Sequence, residues 1–334
     1  MIATKNIEFE VREISKSSEV KSKRIGICTA QAKNLLLIQE GDWVQREVLS
    51  NSKKLIGTLL FTEGTIQPIF TYLDFKIHLG INIVPIIAID YSLSNLTFDD
   101  QKCIHSLKKG ANNDYLTVIQ HITNAYQNIW SGMLGFGMGA RTIPKKGETS
   151  SCFSLTGNIF NPVLPKDKLK EHYASTLKKV ELSLPINYHP VLELVSDYAK
   201  YETENYEARN YFVLIYVSAG VIDDFNDTLE VLKEISDLPL SVIMVRIRNM
   251  QMEDTNDPAI LIRECSDSFN QCERQYLEIL DYEDFKKTNT TNKFEDALVM
   301  NIPYHVEKYM EIHNIFAYDL DESDYASRVS IALK

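Results

Sequence analysis

The stretch INIVPIIAIDYSLSN, residues 81–95, decides the fold class and holds the candidate site. It begins with a β-branched apolar run, which predicts a strand buried on both faces. At the end of this run an acid and two hydroxyls stand at alternate positions, Asp90, Ser92 and Ser94. In an open α/β sheet the loops at the carboxyl ends of the strands form the binding crevice, so this Asp-x-Ser-x-Ser loop is a candidate cation site. The same residues also fit an ordinary buried strand that ends in a polar turn.

The composition is that of a globular protein: 334 residues, 44% hydrophobic and 24% charged, which suggests two domains or one large one. The formal net charge of −11 and the short, scattered basic clusters argue against nucleic acid as a partner. No apolar run reaches the roughly 18 residues of a membrane span. The start MIATKNIEFEV lacks the apolar region of a signal peptide. We expect a cytoplasmic protein that is at most peripheral at the plasma membrane.

The cysteines and histidines give no sign of an enzyme. The five cysteines form no CxxC pair and no Cys/His ligand quartet, and the seven histidines show no HExxH spacing. Cys152 stands near hydroxyls in CFSLTGNIF, but no base is paired with it, so a nucleophilic role has no support. The sequence therefore predicts no catalytic activity.

The order of strands and helices predicts an α/β protein. Short strands are expected at 7–11, 24–30, 43–49 and 54–66, which makes residues 1–70 a small β region. From residue 71, strands alternate with helical periods. The strands are expected at 83–90, 131–137, 211–220 and 240–247, and the helices at 115–129, 168–180, 189–201 and 227–237. This alternation implies a doubly wound, mainly parallel sheet whose centre holds the two nearly continuous apolar strands, 211–220 and 240–247.

Motifs at several places along the chain point to one family. They are TYLDFKIHLGINIVPIIAIDYSLSN (71–95), MLGFGMGA (133–140), LPINYHPVLELV (184–195), VLIYVSAGVIDD (213–224), LPLSVIMVRI (238–247), YLEILDYEDF (276–285) and VEKYMEIHNI (306–315). In this order they resemble the copines, whose C-terminal half is a von Willebrand factor A-like domain preceded by two C2 domains. The resemblance implies an A-like domain over residues 71–318 and a tail at 319–334. It also explains MLGFGMGA as strand and turn; a phosphate-binding loop would require a following Lys-Ser/Thr.

The resemblance implies a divalent cation site that is incomplete here. In the family, a threonine of the GPTNF-type motif and an aspartate of the TDG-type motif complete the site, and this chain has Ile186 and Ala219 at those positions. Magnesium or manganese is the candidate ion. The Asp-x-Ser-x-Ser loop with waters supplies at most half of a near-octahedral oxygen shell, so we expect affinity to fall sharply.

Three neighbouring oxygen ligands could compensate for the missing ones. They are Ser218, Asp223 and Asp224. The two aspartates are also explained as turn and N-cap residues of the helix predicted at 227–237.

The N-terminal region resembles the second half of a C2 domain. Residues 7–36 look like the strand, loop and strand around its third calcium loop, where the family carries several aspartates. This loop has only Glu13 and Glu19 as acids, so calcium, which requires about six to eight oxygens, is not expected to bind. A first C2 domain is not expected in this sequence, and the second lacks the strands that would precede residue 7, which fits either a truncated paralogue or an incomplete gene model.

Two functions of different classes remain. The resemblance implies a peripheral protein that binds anionic phospholipid with calcium and recruits target proteins through its A-like domain. The residues favour an adaptor that binds target proteins without a cation, through the carboxyl-end surface of the sheet near Asp90, Ser94, Asn187 and Ser218. A third, weaker possibility is calcium-independent attraction of the lysine-rich loop 16–24 and Lys53–Lys54 to acidic lipid.

Overall fold

The computed structural model describes residues 6–13, 23–36, 43–62, 69–95, 103–108, 112–129, 132–142, 147–206, 209–218, 222–247, 274–288 and 290–317. These residues form two compact units, one that ends at Ile69 and one that spans Phe70–Ala317. Each unit has its own β-structure. Within the described ranges, no helix combines the length and the apolar character needed to cross a membrane.

The first unit is a four-stranded antiparallel sheet in the order β1-β2-β3-β4. Its elements are β1 (Asn6–Glu13), β2 (Lys23–Gln31), α1 (Ala32–Leu36), β3 (Val44–Leu49) and β4 (Leu55–Phe61). This confirms the predicted small β region. Residues 14–22, which hold most of the loop where calcium is not expected to bind and most of the lysine-rich loop 16–24, lie outside the described residues, as do the last predicted strand residues, 63–66.

The second unit contains the remaining elements. Its strands are β5 (Asn82–Asp90), β6 (Gly132–Met138), β7 (Ala140–Thr142), β8 (Phe153–Ser154), β9 (Val163–Pro165), β10 (Val180–Leu182), β11 (Asn210–Ser218), β12 (Leu240–Arg246) and β13 (Leu277–Asp281). Its α-helices are α2 (Tyr72–Asp74), α3 (Asp114–Tyr126), α4 (Leu169–Leu177), α5 (His189–Tyr206), α6 (Phe225–Glu234), α7 (Tyr282–Lys287), α8 (Thr291–Ala297) and α9 (Ile302–Ile312). A π-helical segment, Phe75–Leu79, follows α2.

The main sheet is doubly wound, as predicted. Five parallel strands lie in the order β13-β12-β11-β5-β6, and β8 and β9 both pair antiparallel with the outer side of β6. β11 and β12 have neighbours on both sides, which confirms their predicted central position. From β5 the chain adds β6 on one side and later β11 on the other. The winding direction therefore reverses between β5 and β11, and their carboxyl ends border the crevice of the sheet.

Both faces of the sheet are covered, which is why its strands are apolar at nearly every position. On one face, Ile86 and Leu214 belong to a buried cluster with Val191 and Val195 of α5 and Leu232 of α6. The opposite face lies against α9, because Tyr211 of β11 contacts Tyr309 of α9 with ring centroids 6.1 Å apart. The helical period at 189–201 thus marks a helix that buries one stripe against the sheet.

Candidate functional site

Asp90 and Ser218 end the two strands that border the switch point. Asp90 is the last residue of β5 and Ser218 is the last residue of β11. Because β5 and β11 are parallel neighbours, the structure brings these two side chains together across the crevice. The Oγ of Ser218 donates a hydrogen bond to Oδ2 of Asp90 at 2.9 Å.

The Asp90 carboxyl group is closed off from solvent. Its exposed fraction is 0%, and its second oxygen, Oδ1, accepts the backbone N–H of Ser92 at 2.7 Å. Each carboxyl oxygen therefore has a donor from the protein itself. Burial raises the pKa of Asp90, and the hydrogen bonds from Ser92 and Ser218 offset part of that rise because they favour the charged form.

The two serines after Asp90 form a tight polar turn. Ser92 is fully buried, and its Oγ accepts the backbone N–H of Ser94 at 3.3 Å, whereas Ser94 is half-buried. Asn95 also stabilises the turn, because its Nδ2 donates a hydrogen bond to the carbonyl of Ser92 at 3.1 Å. Tyr115 of α3 in turn donates its hydroxyl to Oδ1 of Asn95 at 2.9 Å. The hydroxyls predicted to bind a cation thus belong to a turn that is hydrogen-bonded within the protein.

His105 fixes the backbone of Asp90, a role that the sequence did not reveal. Its Nε2 donates to the Asp90 carbonyl at 2.9 Å, and its Nδ1 accepts the Tyr173 hydroxyl at 2.7 Å. The ring stacks on Tyr115 with centroids 4.2 Å apart. Burial lowers the pKa of His105 to about 3, so the imidazole is neutral at physiological pH.

Ile186, which stands where the family has a threonine, points into the apolar core. Its side chain is 1% exposed and belongs to the same buried cluster as Tyr188 and Val191. Only its backbone takes part in polar contacts: its N–H donates to Oδ2 of Asp223 at 2.8 Å. Ala219, the other expected ligand position, lies outside the described residues.

The two aspartates considered as replacement ligands bind backbone amides instead. Asp223 accepts the N–H of Ile186, and Asp224 accepts the N–H groups of Tyr188 at 3.0 Å and His189 at 2.8 Å. Asp224 is the N-cap residue of α6, as predicted, but its side chain makes no capping hydrogen bond to that helix. α6 begins at Phe225, and the Asp224 side chain caps the start of α5, because the unpaired amides of that longer helix lie within its reach.

The side chains at the switch point do not fit the ligand set of a divalent cation. One carboxyl group with both oxygens engaged and a hydrogen-bonded serine turn fall short of six oxygens. Within the part of the chain that the structure describes, His, Cys, Asp and Glu side chains form no group of three or more that could hold a metal ion.

The glycines of MLGFGMGA serve packing in a strand. β6 places Gly137 beneath Phe153, where an added Cβ would lie 2.4 Å from the ring. Gly139 follows with a φ of 76°, and a Cβ there would lie 2.8 Å from the Cβ of Ser92. The interpretation as strand and turn is confirmed by this geometry.

A second buried polar cluster lies on the face covered by α9. Ser241 Oγ is 3.0 Å from Nδ1 of His305, and Nε2 of His305 is 3.3 Å from Oε1 of Glu278. These residue types occur in hydrolase triads, but their exposed fractions are 0%, 1% and 8%, so a substrate does not reach Ser241 in this arrangement. Burial lowers the pKa of His305 to about 4.

Cys152 is half-buried near the sheet edge. Burial raises the pKa of its thiol to about 11, which leaves little thiolate at neutral pH and makes it a poor nucleophile. Cys265 and Cys272 lie outside the described residues.

The doubly wound sheet, with an Asp-x-Ser-x-Ser turn at its switch point, defines the second unit as a von Willebrand factor A-like domain. A family model described as Copine matches residues 103–317 of the 334. The chain therefore belongs to the copine family.

Three solved structures that resemble the chain have low sequence identity to it. The SpRpn10 VWA domain is 9% identical with a TM-score of 0.36, and the match covers 60% of this chain and 87% of that one. The PilB minor pilin from Streptococcus sanguinis is 10% identical with a TM-score of 0.36, covering 90% and 80%. Proximal thread matrix protein 1 from the mussel byssus is 11% identical with a TM-score of 0.34, covering 66% of this chain and 48% of that one.

Proposed function

We propose that this copine is a non-enzymatic adaptor whose A-like domain binds target proteins without a divalent cation. Family membership supports a protein-interaction role. The cation independence rests on one observation: both oxygens of Asp90 are hydrogen-bonded within the protein, to Ser92 and Ser218, in a fully buried position. A cation at this place would have to break these bonds before it gained its ligands.

The contact surface we propose lies on the loops above the carboxyl ends of the strands. Asp90 and Ser218, which the sequence suggested as part of this surface, are 0% and 5% exposed and cannot meet a partner directly. Leu93 and Leu184 are exposed at 38% and 51%, on segments joined by the hydrogen bond from Leu93 N–H to the Ser183 carbonyl. These exposed leucines lie beside polar residues such as Ser94 and Asn187, and an apolar centre with a polar rim is typical of protein interfaces.

Thermal unfolding in chelator, magnesium and manganese tests the cation independence. A ligand that binds only the native state raises the melting temperature, so we expect the same value in all three conditions. An increase with magnesium or manganese that disappears in Asp90→Ala would overturn the proposal.

A reconstructed site provides the positive control. The double variant Ile186→Thr with Ala219→Asp restores the two family ligands, and we expect it to gain metal-dependent stabilisation. Each single variant is the matched control, since one restored ligand leaves the oxygen shell short. If the double variant gains nothing, the positions of the loops, and not the two side chains, prevent binding.

A second candidate is the family-implied binding of anionic phospholipid with calcium, for which membership in the copine family is the supporting observation. Against it stands the acid-poor segment between β1 and β2, whose residues 14–22, ISKSSEVKS, hold one acid, Glu19, and two lysines. Co-sedimentation with phosphatidylserine liposomes, in calcium and in chelator at physiological salt, separates the two candidates. Calcium-dependent pelleting would support the phospholipid function, and no pelleting in either condition would support the adaptor.

A further inference from the structure

A short loop projects from the edge of the parallel sheet in the A-like domain. β8 and β9 both pair with β6, and the loop between them, residues 155–162, leaves and rejoins the edge at a single partner, Gly135. The Gly135 carbonyl accepts the N–H of Leu155 at 2.9 Å, and the Gly135 N–H donates to the carbonyl of Pro162 at 3.0 Å. Both ends of the loop are therefore fixed to the same point of the sheet.

The inside of the loop is also held by hydrogen bonds. Thr156 makes two of these bonds through its Oγ1, which donates to the Asn161 carbonyl at 2.8 Å and accepts the Asn158 N–H at 3.1 Å. Oδ1 of Asn158 accepts the N–H of Phe160 at 3.0 Å. Gly157 has a backbone φ of 81°, a conformation that residues with a side chain rarely adopt. These contacts hold the backbone of the loop tip in one conformation.

The loop presents an apolar tip to solvent. Phe160 is 96% exposed and Ile159 41%, and Val163, the first residue of β9 beside the loop, is 51% exposed. We call these three residues the knob. An aromatic side chain that is almost fully exposed on a loop with fixed ends is unusual, because exposure forgoes the stabilisation that burial would bring.

The segment of chain that carries the knob is uncharged. Residues 149–165, TSSCFSLTGNIFNPVLP, contain no Asp, Glu, Lys or Arg, in a chain of which 24% is charged and whose net charge is −11. An anionic lipid surface attracts basic segments, so an uncharged knob on an acidic protein gains no attraction there. A neutral, apolar pocket on another protein is the complementary surface, since charged groups are depleted at the core of protein interfaces.

We propose that the knob is an anchor that inserts Phe160 into an uncharged apolar pocket of a partner protein. This inference rests on the proposed protein-interaction function and adds a contact site at the sheet edge, away from the carboxyl-end loops. Aromatic side chains with few rotatable bonds on a fixed backbone lose little conformational entropy on binding, which is the property of interface hot spots.

Photo-crosslinking with the full chain tests the anchor. A benzophenone amino acid is placed at position 160, at Leu184 on the carboxyl-end loops, or at Tyr201, which is 59% exposed on α5. Each chain is irradiated in an extract of cells that express it, in chelator and in magnesium. Unlabelled full-length chain is then added to compete for the crosslinked partner, in separate reactions with wild type, Phe160→Ser or Tyr201→Ser.

We expect one discrete crosslinked protein from position 160, in chelator as in magnesium. Wild type and Tyr201→Ser should suppress it, and Phe160→Ser should need about 30-fold more chain for the same suppression, as for a hot-spot residue. Equal suppression by all three competitors, no crosslinked protein from position 160, or a crosslink only to a second copy of the chain would overturn the inference.

Two further outcomes separate this inference from the proposed function. A crosslink from Leu184 but not from position 160 would remove the anchor and leave the adaptor function standing. A crosslink from position 160 only in magnesium would keep the anchor and contradict cation independence.

Vesicle pelleting tests a membrane as the alternative occupant. If wild type pelleted with phosphatidylcholine vesicles, with or without phosphatidylserine, and Phe160→Ser did not, the knob would bind a membrane and the proposed protein pocket would be overturned.

Discussion

Ser218 and Asp90 join the neighbouring strands β11 and β5 at their carboxyl ends, through a hydrogen bond of 2.9 Å from the serine Oγ to Oδ2 of the acid. The bond crosses the point at which the winding direction of the sheet reverses, where open α/β sheets bind ligands. The Ser218 hydroxyl thus donates a hydrogen bond to the buried Asp90 carboxyl group at the position where a bound cation would coordinate it. The A-like domain can therefore bury its central acid with groups from its own chain.

Removing this donor should destabilise the A-like domain. Ser218→Ala leaves Oδ2 of Asp90 buried without its donor, and we expect the free energy of unfolding to fall by about 1–3 kcal/mol. Urea unfolding measures the change. The matched control is Ser196→Ala, since Ser196 is also buried but donates to the Leu192 carbonyl within α5, a bond whose loss leaves no carboxyl group unpaired. A loss for Ser218→Ala no larger than that for Ser196→Ala would contradict the role assigned to the bond.

His105 should make the stability of the A-like domain depend on pH. Burial lowers its pKa from 6.5 to about 3, so between these values the unfolded chain binds a proton that the folded chain does not. Stability is complete above about pH 6.5 and falls as the pH drops, by about 1.4 kcal/mol per pH unit for this group. The groups that face the ring are the Asp90 carbonyl and the neutral rings of Tyr91, Tyr115 and Tyr173.

The measurement is urea unfolding of wild type and His105→Gln at about pH 7 and about pH 5. We expect wild type to lose about 2 kcal/mol more than the variant over this range, because only the variant lacks the group that titrates on unfolding. The exposed His78→Gln variant is the control. Raised pKa values of the buried Asp90 and Glu278 act in the opposite direction, but both remain in the variants and cancel in the comparison. Equal losses in wild type and His105→Gln would contradict the prediction.

The strands of the sheet could be predicted from the sequence because burial on both faces leaves a local signature. The runs at 83–90, 211–220 and 240–247 are apolar at nearly every position, and each is a parallel strand. The polar contacts of the site leave no such signature. His105 binds Tyr173, 68 positions away, and Ser218 binds Asp90, 128 positions away, so the partners are chosen by the packing of the fold.

Asp224 shows how a local rule can name the right residue and the wrong partner. An acid just before a helical period predicts a cap for that helix, and Asp224 does precede α6. In the structure its carboxylate binds the amides of Tyr188 and His189 at the start of α5, which comes earlier in the chain. Capping chemistry is local, but the helix end that lies within reach is set by tertiary structure.

Arg274 should be essential for the stability of the sheet at the amino ends of β11 and β12. Its guanidinium is 3% exposed and donates to the carbonyls of Leu238 at 2.6 Å and Leu240 at 2.9 Å, and to the Tyr211 hydroxyl at 2.9 Å. Lysine keeps the charge but cannot span these acceptors, so Arg274→Lys should lower the free energy of unfolding by about 3 kcal/mol or more.

Arg141→Lys is the matched control for Arg274→Lys. Arg141 is exposed and lies 3.7 Å from Glu181, so we expect a change within about 0.5 kcal/mol. Urea unfolding of both variants gives the comparison. A similar small loss for the two would mean that the buried hydrogen bonds of Arg274 are replaced by the lysine ammonium.

Replacing Gly139, which packs against the serine turn, should lower the free energy of unfolding more than replacing Gly157. Its φ is 76°, and an added Cβ would lie 2.8 Å from the Cβ and 3.1 Å from the Cα of Ser92. Gly157 has a similar φ of 81° with open space around it, so Gly157→Ala isolates the conformational cost, about 1–2 kcal/mol. Gly139→Ala should cost about 2 kcal/mol more, because the overpacked Ser92 backbone must shift and weaken its N–H bond to Asp90. Thermal and urea unfolding of the two variants measure the difference, and equal losses would show that the turn moves aside without strain.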